Sequence, residues 1–150
     1  MSQLKSTLCQ ILLDQLNRKI AGTQQAITNT KESRDSNTKS SAGDKYETGR
    51  AMMQQELDKL ELQLNQTLQL KQVLSDISIE KQYDRVEQGS LVFTNRGTYF
   101  MAFAHGKLKV GGKLYFVVSM ISPVAQALRD KRVGDTIVFQ GRKIVLEEIL

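Results

Sequence analysis

MMQQELDKLELQLNQTLQLKQVLSDI, residues 52–77, decides the fold of the first half of the chain. Its apolar residues recur mainly in steps of three and four, which is the spacing of one face of an α-helix. This stripe consists of Met53, Leu57, Leu60, Leu64, Leu68, Val73, Leu74 and Ile77. The stretch therefore predicts a long amphipathic helix whose apolar face needs a partner.

A second stripe lies upstream and supplies that partner. It recurs every four residues and consists of Leu4, Leu8, Leu12, Leu16 and Ile20, with Ile11 and Ile27 nearby. The pattern fades through residues 28–43, so we expect the first helix to end between Glu32 and Lys39. Two stripes separated by a polar, glycine-containing joint predict an antiparallel helical hairpin, packed stripe against stripe. An intermolecular coiled coil is the alternative.

The second half of the chain changes from helical to strand-like periodicity after Ile79. Short β-rich runs bounded by glycine-containing turns predict an antiparallel sheet. These runs are residues 91–95, 98–104, 113–119, 136–140 and 143–149. One helix interrupts them, because Ser122 is a favoured N-cap and Pro123 is tolerated at the first helical position. We expect Val124, Ala127 and Leu128 to face the sheet, and residues 133–135 to form the turn back into a strand.

The fold class is therefore α+β, with a hairpin over residues 1–79 and a β domain over residues 80–150. All of the net charge of +5 comes from residues 81–150, which makes an acidic partner such as nucleic acid or an acidic protein surface one explanation and a solubilising surface the other. No apolar run is long enough to span a membrane, and residues 1–20 do not form a secretory leader, so we expect a cytoplasmic protein. The single cysteine, Cys9, and the single histidine, His105, argue against cysteine-based zinc sites and triad catalysis.

The segment ISPVAQALRDKRVGDTIVF, residues 121–139, resembles the C-terminal signature of the bacterial Gre transcript cleavage factors. That family has a Ser-Pro pair, an Ala-x-x-Leu-type helix and a Lys-x-Val-Gly-Asp turn in this order. The residues in register are Ser122, Pro123, Ala127, Leu128, Lys131, Val133, Gly134 and Asp135. The family also has an N-terminal helical hairpin and an FKBP-like C-terminal domain, so the resemblance covers nearly the whole chain.

The resemblance implies a function for SSAGDKYETGRA, residues 40–51, the tip between the helices. In the family, the hairpin enters the secondary channel of RNA polymerase, and a Gly-Asp-x-x-Glu sequence at its tip helps to hold a catalytic magnesium ion. Asp44 and Glu47 match those two acids. Magnesium prefers oxygen ligands, so two carboxylates can complete a site that another protein begins. The free protein would hold no cofactor and would not be an enzyme.

The neighbours of the two acids depart from the family pattern, which usually continues as Ser-Glu-Asn. Here Tyr46 and Thr48 flank Glu47. Tyr46 is suited either to stacking on a base or to packing at the helix start, and Arg50 either to contacting phosphate or to pairing with Glu47. A purely structural alternative also exists, because Asp at an N-cap followed by Glu three residues later resembles a capping box.

Three functions follow as hypotheses. The first is a monomeric elongation factor that binds RNA polymerase and stimulates cleavage of backtracked RNA through Asp44 and Glu47. The second is a Gre-like regulator that occupies the same channel without cleavage, and the third is a coiled-coil protein that binds nucleic acid. The first assigns polymerase contacts to Tyr46, Arg50, Ser122, Pro123, Lys131 and Asp135. It assigns contacts with nascent RNA to Lys31, Arg34, Lys39 and Lys45.

Overall fold

Two long helices open the chain, as the two stripes predict. In the computed structural model, α1 is Ser2–Asn37 and α2 is Gly43–Asp76. The structure describes residues 2–37 and 43–150, and it describes the side chains of residues 3–36 and 47–150. The first helix ends within the predicted interval, and the helical hairpin is confirmed.

The buried face of α1 follows the predicted leucine stripe. Leu8, Leu12, Leu16 and Ile20 are all at most 9% exposed. One helical turn further along, the stripe passes through Thr23, whose hydroxyl donates a hydrogen bond of 2.9 Å to the Lys19 carbonyl. That bond satisfies the buried hydroxyl within the helix, so a polar residue is accommodated on the apolar face.

The buried face of α2 departs from the prediction at one point. Leu57 is 1% exposed, but Leu68 is 42% exposed and Thr67 takes the buried position beside it. The reason is the periodicity of helix pairing, since alternating steps of three and four from Leu57 lead through Leu60 and Leu64 to position 67. The Thr67 hydroxyl donates to the Gln63 carbonyl at 2.9 Å, which satisfies it without a partner from α1.

The chain forms two compact units. The hairpin unit is residues 12–72, and the sheet unit is residues 1–11 together with residues 73–150. The sheet unit therefore contains the first turns of α1 and the last turn of α2 as well as the β-strands. The predicted boundary between the hairpin and the β domain at residue 79 stays a prediction.

The sheet unit contains a six-stranded mixed sheet in the order β3-β4-β2-β1-β6-β5. The strands are β1 Leu91–Thr94, β2 Gly97–Met101, β3 Gly106–Val110, β4 Lys113–Val118, β5 Thr136–Phe139 and β6 Arg142–Ile149. Five of them were predicted. β3 was not predicted, because Leu108 is its only buried residue and its apolar alternation is therefore weak.

The prediction of a purely antiparallel sheet is wrong for one strand pair. β2 and β4 are parallel, whereas the other four pairings are antiparallel. The missed strand explains the difference. β3 lies at the edge and β4 returns between β3 and β2, so β4 runs in the same direction as β2.

The helix α3, Pro123–Leu128, packs on this sheet as predicted, with one change. Ala125 and Leu128 are fully buried, whereas Ala127 is only half-buried. The core that they join also contains Val86, Val92, Met101, Ile144, Leu146 and Ile149. Val124 packs at the margin of this core, so the helix faces the sheet through positions 124, 125 and 128.

The predicted turn before β5 is confirmed. Gly134 has a φ of 91°, a conformation that glycine adopts readily and other residues rarely do. The carboxylate of Asp135 accepts a hydrogen bond of 2.8 Å from the backbone N–H of Arg132, which closes the turn. Asp135 therefore has a structural role in positioning the start of β5.

Candidate functional site

The predicted site residues divide into two sets, one in each compact unit. Glu47, Arg50, Lys31 and Arg34 lie in the hairpin unit, and the second set is in the sheet unit. The side chains of Asp44, Lys45 and Tyr46, and the whole of Lys39, lie outside the described residues. Within the tip, residues 40–51, the structure therefore describes the α2 backbone from Gly43 and the side chains of residues 47–51, among which Glu47 and Arg50 are exposed.

The acidic sequence lies at the start of α2, because the helix begins at Gly43. Positions 44 and 47 are three apart in the helix, so they share one side of it. Glu47 is exposed. Acidic residues near a helix N-terminus also interact favourably with the helix dipole, so the structural explanation of these acids holds beside the functional one. Asp44 lies inside the helix, one residue after its start, and not at the N-cap.

The basic side chains near the tip differ in how far they are exposed to solvent. Lys31 is exposed, whereas the Arg34 side chain is 24% exposed and makes two contacts within the hairpin unit. Its Nε lies 3.3 Å from Oδ1 of Asp35, and its Nη1 donates to Oε1 of Gln54 at 3.1 Å. Gln54 belongs to α2, so Arg34 joins the two helices and is less suited to contacting RNA than Lys31.

A groove lies between the two helices on the same part of the hairpin unit. It has a volume of about 540 Å³ and is lined by Asn29, Thr30, Ser33, Gly49, Met52, Met53 and Glu56. Met52 is 64% exposed. Methionine adapts its shape to irregular surfaces, and the sequence contained no indication of this groove.

The second set of predicted residues surrounds the start of α3. Ser122 is the N-cap, where its Oγ accepts from the Ala125 N–H at 3.4 Å and donates to the Ser119 carbonyl at 2.7 Å. Pro123 follows at the first helical position, as predicted. Lys131 is exposed, and its backbone carbonyl accepts from the Val86 N–H at 2.9 Å. Ser122 and Asp135 thus have defined structural tasks, whereas the Lys131 side chain remains available at the surface.

Ile121 is the residue in this region that sequence reasoning missed. It is 83% exposed, the largest exposure among the large apolar residues that the structure describes. It borders a groove of about 460 Å³, whose apolar walls include Val73, Ile77, Ala102 and Met120. A signal was present in the sequence, because an apolar residue before the N-cap normally packs on the fourth helical residue, which here is the polar Gln126.

Substitution of Ser122 tests its structural role as the N-cap of α3. Ser122→Ala removes the N-cap of α3 and is expected to lower the free energy of unfolding by about 1 kcal/mol. Urea denaturation measures this change. Ser122→Asn, which retains a capping side chain, is the control and should lie closer to the wild type. A stability equal to that of the wild type in both variants would contradict the capping role.

An unexpected cluster surrounds Tyr83 in the sheet unit. Lys5 is 1% exposed, and its Nζ lies 4.4 Å from the centroid of the Tyr83 ring, with no hydrogen-bond partner in the described part of the chain. Lys81 Nζ also lies over this ring, at 4.8 Å, and forms a salt bridge of 2.8 Å with Glu87. Burial lowers the pKa of Lys5 and raises that of Tyr83. Lys5, Lys81 and Tyr83 line a cavity of about 400 Å³.

Neither a metal site nor a membrane span is found in the part of the chain that the structure describes. No three His, Cys, Asp or Glu side chains there come together to hold a metal ion. A single exposed carboxylate such as Glu47 fits magnesium only as part of a larger oxygen ligand set. None of the described helices combines the length and apolar character needed to cross a membrane.

No known family model matches the sequence, and no curated protein matches it significantly.

Proposed function

We propose that this protein binds RNA polymerase, inserts the tip of its helical hairpin into the secondary channel and stimulates cleavage of backtracked RNA. The observation that carries the proposal is the combination of a helical hairpin with an α+β unit whose short helix begins with a Ser-Pro cap. That combination is the architecture which the resemblance to Gre factors implies. The protein would act in the cytoplasm as an accessory factor, and the polymerase would perform the hydrolysis.

Glu47 and Asp44 would work as partial ligands. Glu47 is exposed at the start of α2, where its carboxylate is free of the hairpin interior. Magnesium shared with the polymerase would supply an activated water and stabilise the charge on the cleaved phosphodiester. The two acids would orient this ion, while exposed Lys31 would lie near the phosphates of the RNA.

The second candidate is a regulator that occupies the channel without stimulating cleavage. Two observations favour it. Tyr46 and Thr48 replace the usual neighbours of the second acid, and Arg34 is held by Asp35 and Gln54 within the hairpin unit. This candidate shares the polymerase as partner, so binding assays test both candidates and a cleavage assay separates them.

The apolar groove beside Ile121 is the proposed docking surface of the sheet unit. An exposed isoleucine on an apolar groove is typical of a protein contact. Ile121→Asp is expected to weaken binding to RNA polymerase by about tenfold or more, because it places a charge in a desolvated contact.

Affinity is measured by titrating labelled protein with purified polymerase from the same source. The matched control is Leu114→Asp, which alters another exposed apolar residue of the same unit and should bind like the wild type. No binding by the wild type would remove both candidate functions. Wild-type affinity in Ile121→Asp would reject only the docking surface.

A further inference from the structure

The two edges of the sheet present different residues to solvent. β3 and β5 are the outermost strands. In an antiparallel pair, alternate residues direct their backbone N–H and C=O groups toward the partner strand and away from it. Leu146 N–H donates to the Asp135 carbonyl at 3.0 Å, which fixes this alternation for β5. Position 137 therefore faces β6, and the backbone groups of Thr136 and Val138 face outward.

The outward-facing positions of β5 carry no charge. Val138 is 72% exposed and Thr136 is also exposed. Ile137 and Phe139, in contrast, pack against the core of the sheet unit. Ile137 and Phe139 thus anchor β5 to the core of the sheet unit. The outward-facing backbone groups of Thr136 and Val138 form an uncharged edge that another strand could join.

The opposite edge is protected. β3 and β4 are joined by the two-residue loop Gly111–Gly112, and Val110 pairs with Lys113 across it. The same alternation then directs the backbone groups of Lys107 and Lys109 outward, and both side chains are exposed. Lysine on an edge strand hinders the addition of another strand, so the sheet blocks one edge and leaves the other open.

The open edge also has a basic end. Phe139 pairs with Arg142 and Val138 pairs with Lys143 at the hairpin between β5 and β6. Arg96 lies beside them, where its Nε donates to the Lys143 carbonyl at 3.4 Å. All three basic side chains are exposed, and none has a salt bridge within the part of the chain that the structure describes.

We propose that β5 is a docking edge for an extended acidic peptide segment of a partner protein, which adds to the sheet as a further strand. The peptide backbone would bond to Thr136 and Val138, an apolar residue would cover Val138, and a carboxylate would pair with Lys143 or Arg142. A second copy of this chain is disfavoured as occupant, because each copy carries a net charge of +5. The inference does not rest on the proposed function.

The first test uses a synthetic peptide in which valine and threonine alternate with aspartate. Amide hydrogen exchange followed by NMR is expected to slow at Thr136 and Val138 when the peptide is added, and to stay unchanged at Lys107 and Lys109. The control peptide has the same sequence with N-methylated alternate residues, so it keeps its charge and cannot donate along one edge. Equal effects of both peptides, or no slowing at Thr136 and Val138, would overturn the proposal.

A variant supplies the second test. Val138→Glu places a negative charge beside the carboxylates of the bound peptide, and it is expected to reduce peptide binding at least about tenfold with an unchanged melting temperature, since Val138 is exposed. Leu114→Glu adds the same charge at another exposed position of the sheet unit and should bind the peptide like the wild type. Equal binding of the peptide by the two variants would contradict a docking site at the β5 edge. Wild-type self-association that Val138→Glu abolishes would instead identify a second copy as the occupant.

Discussion

Lys5→Met is expected to raise the free energy of unfolding by about 1–4 kcal/mol near neutral pH. A buried ammonium group without a hydrogen-bond partner loses its hydration, and methionine has a similar length without the charge. The Lys5 side chain is 1% exposed, and its Nζ has no hydrogen-bond partner among the residues that the structure describes. The Tyr83 ring at 4.4 Å offsets part of this cost, but Lys81 lies over the same ring and repels a second positive charge.

The gain from Lys5→Met should depend on pH in a definite direction. Burial lowers the pKa of Lys5 in the folded state, and Cys9 has a smaller opposite effect. In the unfolded chain, the pKa of Lys5 is the ordinary lysine value of 10.5. Between the lowered folded value and 10.5, the unfolded state binds more protons, so the stability of the wild type rises with pH through this window. The advantage of Lys5→Met is therefore largest below the window and disappears above it.

Urea denaturation of the wild type and Lys5→Met at about pH 7 and about pH 10 measures this difference. Burial also raises the pKa of Cys9 and Tyr83, but both groups are present in both proteins, so the comparison largely removes their contribution. Lys19→Met, at an exposed position of α1, is the control and should change stability by less than about 0.5 kcal/mol. A Lys5→Met variant less stable than the wild type at both pH values would show that the amine has a stabilising partner.

If Asp44 and Glu47 act as proposed, Glu47→Gln and Asp44→Asn should each lower stimulated RNA cleavage by at least about tenfold, because each would remove a charged oxygen ligand of the shared magnesium. Binding to RNA polymerase should stay within about twofold of the wild type, since Glu47 is exposed and the substitution preserves its shape. Glu61→Gln, which alters another exposed acid of α2, is the matched control. If both variants lost polymerase binding to the same extent as cleavage, the two acids would act in docking and not in catalysis.

The hairpin was predictable because helical periodicity leaves a repeated signal over many residues. The one error, at Leu68, arose because two helices pair with a seven-residue repeat, which places Thr67 and not its larger neighbour on the buried face. Hydrophobicity alone favours the leucine. The hydrogen bond from Thr67 to the Gln63 carbonyl explains why the polar residue is tolerated.

The sheet was harder to predict because strand order depends on contacts between distant residues. The run Gly106–Val110 has a single fully buried side chain, and without it the return of β4 beside β2 could not be anticipated. The local features around α3 were predicted well, since capping by Ser122 and the turn at Gly134 depend only on neighbouring residues.

The candidate site was predictable only in part. Asp44 and Glu47 stood out as acids between two apolar stripes, and their spacing is that of one helix face. The burial of Lys5 and the exposure of Ile121 could not be predicted, because both result from how the ends of the helices, the sheet and the loop before α3 pack in the sheet unit. Judged by residue type alone, Lys5 would be expected at the surface and Ile121 in the core.

Release of RNA from stalled elongation complexes tests whether this protein stimulates transcript cleavage. The wild-type protein is added, with magnesium, to backtracked complexes of the RNA polymerase from the same source, at a concentration that saturates binding. We expect release of short 3′ RNA fragments, faster than from the polymerase alone and dependent on Glu47. Saturated binding without any increase in fragment release would contradict cleavage and leave the protein as a channel-occupying regulator.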